Sequence, residues 1–420
     1  MFQKFRLDAT RVFLFMEIAS GLFTCMVFAT NSLYQVTVAE LTPLQLVLVG
    51  TTLEISAFVF EVPTGVVADV YSRRLSIIIG QILIGLGFLV EGFFPAFAPI
   101  LLAQVIWGLG YTFTSGATQA WITDEVGEEN ANKLFLRVGR LGSFAWLLGL
   151  GITALIGANN VVLPIRTGAI GIVLLGITLA IIMPETGFHP TPKDDRNTWQ
   201  HMWYIFKEGV AAVRTQPRLV NIVFIGLFYG LYSEGFDRLR VKLLLDKFEL
   251  PVLYGSNEVA FFVVLDVIGI LLYMIAIHFV EKRLNTSSPL AIGRAMLLIT
   301  GLITIAMMSF ALSPLLSLAV ISMLAVGVLR GISGPLQTAW INQKLDSKVR
   351  ATIHSMFGQV DAIGQVTSGP TLGLIANALS VKLAISISGA LLTPALFFIG
   401  RANAQQKRQE PSLIEAEPAD

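Results

Sequence analysis

Long apolar runs set the pattern of this chain. They recur from near residue 11 to residue 401, broken by short polar connections. A bilayer's hydrocarbon core is about 30 Å thick and takes roughly 20 helical residues to cross. At that length the chain divides into candidate spans at 11–37, 43–69, 75–95, 97–122, 133–158, 161–184, 218–246, 252–280, 287–311, 314–343, 351–378 and 380–401. The predicted fold is an all-α membrane protein of twelve transmembrane helices. One connection is long and polar, at 185–217. Within it, 199–214 carries apolar residues at helical spacing, which predicts an amphipathic helix lying at a membrane interface. The expected organisation is a six-helix bundle over 1–184, a cytoplasmic linker over 185–217, a second six-helix bundle over 218–402 and a polar cytoplasmic tail over 403–420. The first apolar run is too long for the core of a signal peptide and lacks a cleavage site, so it reads as a span.

Composition agrees with this reading. Of 420 residues, 54% are hydrophobic and 14% charged, with a mean hydropathy of +0.72. Soluble proteins carry about 25% charged residues. A net charge of +1 gives no basic field for nucleic acid. A single cysteine, Cys25, excludes an intramolecular disulfide, and the four histidines show no zinc spacing. No metal or cofactor is expected, and no nucleophile–base set points to an enzyme.

The basic residues fix an expected orientation. Arg6 and Arg11, Arg73 and Arg74, Arg137 and Arg140, the linker, Lys282 and Arg283, Lys348 and Arg350, and Arg401 and Lys407 all fall on one side of the predicted spans. The other side holds little beyond Lys242, Lys247 and Lys382. Basic connections stay cytoplasmic. Both termini are therefore expected in the cytoplasm, in a bacterial cytoplasmic membrane.

The two halves echo each other. Ala120-Trp121-Ile122 ends the fourth span and Ala339-Trp340-Ile341 ends the tenth, 219 residues on. Gly139 and Gly358 are also 219 residues apart. Both copies start from the same membrane side, which predicts a parallel repeat, two pseudo-symmetric bundles and a substrate site between them near the midplane.

The segment Gly65-Val66-Val67-Ala68-Asp69-Val70-Tyr71-Ser72-Arg73-Arg74 resembles the signature loop of the major facilitator superfamily. The span count, long linker and parallel repeat resemble that superfamily along the whole chain. The resemblance implies a secondary transporter working by alternating access. It also implies a conformational latch between bundles at Gly65, Asp69, Arg73 and Arg74, which Glu61 is placed to join. The Glu61-x-Pro63 lead-in, with Glu54 one heptad earlier, is similar to tetracycline and macrolide exporters. Two features of drug/proton antiporters are replaced: Gln104 stands where an Arg often precedes Gly108, and the fifth span has no Gly-Pro pair.

Charges inside apolar spans cost about 2.5–3.5 kcal/mol each on insertion scales and mark pathways or partners. Glu54, Asp266, Asp361 and, nearer the interface, Glu17 are the proton-coupling candidates. Glu234 and Arg238 are spaced i, i+4 and can pair. With Asp237 they predict a cavity wall in the seventh span, or an early end to it. Arg330 with Asp266 and Asp361 predicts a neutralised triad. Gln104, Gln119, Tyr34 and Tyr232 are further substrate-cavity candidates. The expected function is export of amphipathic small molecules or drugs by proton antiport, with protons and the lipid bilayer as partners and the monomer as the working form. A proton-linked metabolite importer is the alternative. A non-transporting receptor lacks a visible signalling appendage.

Overall fold

The computed structural model describes residues 6–190, 207, 217–251, 253, 258–343 and 347–414. The interfacial helix expected over 199–214 lies outside the described residues, save Lys207. Every regular element among them is a helix. In chain order these are α1 Ala9–Thr37, α2 Pro43–Val70, α3 Arg73–Phe93, α4 Phe97–Thr114, α5 Ala117–Val126, α6 Glu128–Gly157 and α7 Val162–Ile182. There follow α8 Pro217–Lys247, α9 Val259–Arg283, α10 Pro289–Leu312, α11 Leu316–Asn342, α12 Ser347–Ala378, α13 Val381–Leu391 and α14 Thr393–Ile414.

Ten stretches among the described residues are long and apolar enough to cross a membrane. The predicted spans 218–246 and 351–378 are not among them. Their helices exist as α8 and α12, but α8 carries Glu234, Asp237, Arg238, Arg240 and Lys242, and α12 is rich in Gln, Ser and Thr. Polar side chains lower the apolar signal without shortening the helix.

Caps explain where several helices begin. Asp8, Ser72, Ser288 and Ser380 each accept a backbone N–H from the first turn that follows. Thr42 and Gln45 form a reciprocal capping box ahead of α2, with Pro43 at the first helical position. Two predicted spans are interrupted. The fourth breaks between α4 and α5 at Gly116, whose φ of +71° is left-handed and suits a residue without Cβ. The repeat places Pro335 opposite Gly116, where it sits inside the unbroken α11. The twelfth span breaks ahead of Pro394, whose ring cannot donate to the preceding turn.

Two compact units emerge. The first comprises residues 1–202 and 250–267, the second 203–249 and 268–420, so the division passes through α9. In the first unit α3 packs on α4 and α7, α1 on α6 and α7, and α2 on α4. In the second, α8 packs on α12, α13 and α14, while α10 packs on α11, α13 and α14. The repeated tryptophans have parallel roles within their own units. Trp121 Nε1 donates to Pro184 O at 2.9 Å. Trp340 Nε1 is 3.1 Å from the Gln406 amide, turned to present its oxygen.

The α8–α12 contact is made by absent side chains. A Cβ built on Gly230 would lie 2.0 Å from Asp361 O, and one on Gly364 would lie 2.6 Å from Leu227 O. Both obstacles are backbone and cannot turn aside. Gly230→Leu is therefore expected to destabilise the second unit by about 3 kcal/mol or more, beyond ordinary overpacking. The readout is thermal unfolding in detergent. Gly327→Ala, with nothing within 4 Å of the new Cβ, is the matched control and should leave the transition within about 1 kcal/mol.

Candidate functional site

The glycine contact between α8 and α12 brings their polar side chains together. Arg330 on α11 meets Asp237 on α8 in a two-pronged ion pair, Nη1 to Oδ1 at 2.6 Å and Nη2 to Oδ2 at 2.9 Å. Such paired contacts fix geometry as well as charge. Arg240 approaches the same Asp237 Oδ1 at 3.7 Å. The Arg330 guanidinium also lies 5.5 Å from the centre of the Tyr232 ring. Asp361 on α12 accepts from Gln365 Nε2, one turn on, at 2.7 Å and lies within the electrostatic reach of Arg330.

Hydroxyl groups back this cluster. The Tyr229 hydroxyl shares a hydrogen bond with Thr300 Oγ1 at 2.7 Å and accepts one from Ser333 Oγ at 3.3 Å. The Tyr232 carbonyl accepts from Ser388. The result is a cavity of about 180 Å³ inside the second unit. Tyr229, Tyr232, Asp237, Arg330, Gln337 and Asp361 are among its lining residues, with serines and Gln365 between them. Gln337 Nε2 makes no hydrogen bond among the described residues. Beside the cavity, Glu234 is buried and accepts from Arg238 Nε at 3.3 Å.

The sequence expectations meet this geometry unevenly. Arg330, Asp361, Asp237 and Tyr232 come together. Glu234 and Arg238 make the i, i+4 contact their spacing allows. Asp237 takes both prongs of Arg330, while Asp266 is exposed and belongs to the first unit. Tyr34 and Gln104 are buried against α3 and line no described cavity. The Tyr34 hydroxyl donates to Glu91 O at 2.5 Å, and Gln104 Nε2 donates to Glu91 Oε2 at 3.1 Å. Gln119 is exposed on α5, Glu17 and Glu54 are half-buried, and Glu61 is exposed.

The signature segment builds a network inside the first unit. Arg73 pairs with Asp124 on α5, donates to Ala120 O at 3.0 Å and lies 3.8 Å from Asp69. Glu185 accepts from Ser72 Oγ at 2.7 Å and from Arg74 N at 2.9 Å, and Arg74 Nη2 donates to Ala180 O. Gly65 is half-buried on α2, with open space where a Cβ would stand.

Sequence reasoning passed over Asp124, Glu185 and Glu91. Asp124 and Glu185 sit just beyond predicted spans, where charge is ordinary. Glu91 carried a signal: it lies inside the predicted span 75–95.

The Arg330–Asp237 side chains are 29% and 34% exposed. Breaking a fully buried pair costs about 3–5 kcal/mol, and partial exposure reduces this. A double-mutant cycle over Arg330→Met and Asp237→Asn, read by thermal unfolding, should give a coupling of about 1–3 kcal/mol. Additive effects would contradict the pair.

Comparison with known proteins places the chain. The Major Facilitator Superfamily model matches residues 13–370. The uncharacterized MFS-type transporter YxaM of Bacillus subtilis (strain 168) is 25% identical over 359 residues, covering 84% of this chain and 86% of that protein. Among solved structures, the nucleoside transporter NupG superposes with a TM-score of 0.74 at 14% identity, covering 94% of this chain and 99% of that one. The peptide transporter POT in complex with sulfate gives 0.70 at 14% identity, covering 96% and 95%. These likenesses share a fold with the α-helical, span-rich chain described above. This chain is a multi-pass membrane transporter of the Major Facilitator Superfamily.

Proposed function

We propose that the chain is a proton-coupled secondary transporter of a small polar solute, and that the Arg330–Asp237–Asp361 cluster carries the coupling. The observation behind this is the cavity. Its described lining residues bring hydroxyl, amide, carboxyl and guanidinium groups beside the rings of Tyr229 and Tyr232, with no aliphatic side chain among them. Such walls recognise hydrogen-bonding groups, and a site built to bond them rejects ligands that lack them.

The arrangement around Arg330 supports coupling. Among the residues lining the cavity Arg330 is the cation and Asp237 and Asp361 are the carboxyl groups, with Arg240 3.7 Å from Asp237 Oδ1 at its edge. A solute group that competes for Arg330 displaces Asp237 or Asp361, and the released carboxylate becomes the proton's site. Solute and proton then share one cation, which links their binding.

In this reading α8 and α12 are crossings like the other ten stretches, and the chain makes twelve in two six-helix bundles, as the 219-residue repeat supports. Arg73, Asp69 and Asp124 serve as the latch at one end. Because the released carboxylate takes up a proton as the solute binds, the two load together, which supports proton-linked uptake rather than antiport, and the hydrogen-bonding groups of the cavity argue for a more hydrophilic cargo than an amphipathic drug.

The test uses proteoliposomes with a trapped pH dye. A panel of nucleosides, short peptides, amino acids, sugars and amphipathic cations is added in turn. One polar class should drive a change in lumenal pH. Asp361→Asn should abolish that proton flux while solute-for-solute exchange continues. A response to amphipathic cations alone, or proton flux unchanged in Asp361→Asn, would overturn the reading.

A further inference from the structure

Glu91 stands apart from both the cavity and the Arg73 network. It is fully buried near the Phe93 end of α3. Each carboxyl oxygen is held by a neutral amide. Gln35 Nε2 on α1 donates to Oε1 at 2.7 Å, and Gln104 Nε2 on α4 donates to Oε2 at 3.1 Å. Tyr34 donates to the Glu91 backbone oxygen. Arg166 on α7 donates through Nε to Gly92 O at 2.9 Å, with its guanidinium 4.5 Å from the centre of the Phe93 ring. One carboxyl thus sits where four helices meet.

The identity of its partners matters. Arg and Lys only donate, and so hold a carboxylate ionised. A glutamine amide donates at one end and accepts at the other. If Glu91 gains a proton, a turn of the Gln104 amide presents Oε1 as the acceptor, and both side-chain contacts survive. The cluster fits either charge state with the same backbone. Asn31 Oδ1, one turn before Gln35 on α1, is buried and accepts no hydrogen bond among the described residues.

Along the helices that surround Glu91, the other described charges are remote. Helix α4 has no charged side chain, and α7 has only Arg166. On α1, Glu17 lies about 25 Å along the helix from Tyr34, and on α3, Arg73 and Arg74 lie at the opposite end, about 25 Å from Glu91. The first charge on α2 is Glu54, about 16 Å in from Pro43, and Glu40 in the α1–α2 connection is exposed. On α5, Asp124 is engaged by Arg73. Among the described residues, Arg166 and Tyr34 are titratable groups that face Glu91 from the helices around it.

From this arrangement we infer that Glu91 is a second proton-binding site, in the first unit, that loads and unloads a proton while its two glutamines stay in contact. The inference does not depend on the substrate or coupling role of the second-unit cavity.

The test is infrared difference spectroscopy of the full chain in lipid nanodiscs, between alkaline and acidic pH, reading the carbonyl stretch of protonated carboxyl groups. Acidification should raise a band that is lost in Glu91→Gln and kept in Asp361→Asn. Gln104→Leu leaves the carboxyl but removes a donor, so it should shift the band's frequency rather than abolish it. Should Glu91→Gln not fold, the Gln104→Leu spectrum decides alone. Spectra of either variant that match the unaltered chain at every pH would overturn the proposal. So would a Glu91 band that is present at all pH values, or an ion pair with Arg166 that keeps the band absent throughout.

Discussion

A charge removed from water costs several kcal/mol even after the protein relaxes around it. A helix in a bilayer cannot turn its charges outward as a soluble helix does. Each mid-helix charge must therefore find compensation one turn away on its own helix, on another helix or from a neutral donor. This constraint organises the chain. Asp237 finds Arg330 across a helix contact, Glu234 finds Arg238 on its own helix, and Glu91 finds two amides. Each solution ties polar chemistry to a particular packing of helices.

The packing in turn depends on what the helices lack. Gly230 and Gly364 let the backbones of α8 and α12 approach until no Cβ fits between them. That approach sets Asp361 beside Tyr229, Tyr232 and Arg330 in one cavity. The same lever acts on flexibility. Gly116 breaks one copy of the repeat where Pro335 interrupts the hydrogen bonding of the other. Both positions are local weak points in long helices, and a transporter that alternates between two conformers needs such points.

Much of this was legible in the amino-acid order, for a physical reason. Span length and apolar content are local properties, so the helices stood out even where α8 and α12 carry too much polarity for an apolar threshold. The Glu234–Arg238 contact was legible because i, i+4 spacing fixes proximity within one helix. Partners on different helices were not. The sequence offered Asp266 and Asp361 to Arg330 and left Asp237 in a cavity wall, because hydropathy does not record which faces meet. Tyr34 and Gln104 looked like cavity residues for the same reason. Glu91 was visible as a charge inside the span 75–95 and was passed over; what the order of residues does not record is that Gln35 and Gln104, on other helices, meet it.

If one cation serves both solute and proton, binding the solute must move a proton at the Arg330 cluster. The direct measurement is calorimetric binding of a transported solute in two buffers of different ionisation enthalpy. The account predicts a buffer-dependent heat equal to about one proton exchanged per solute bound, lost in Asp361→Asn. A heat of binding identical in both buffers for the unaltered chain would contradict it.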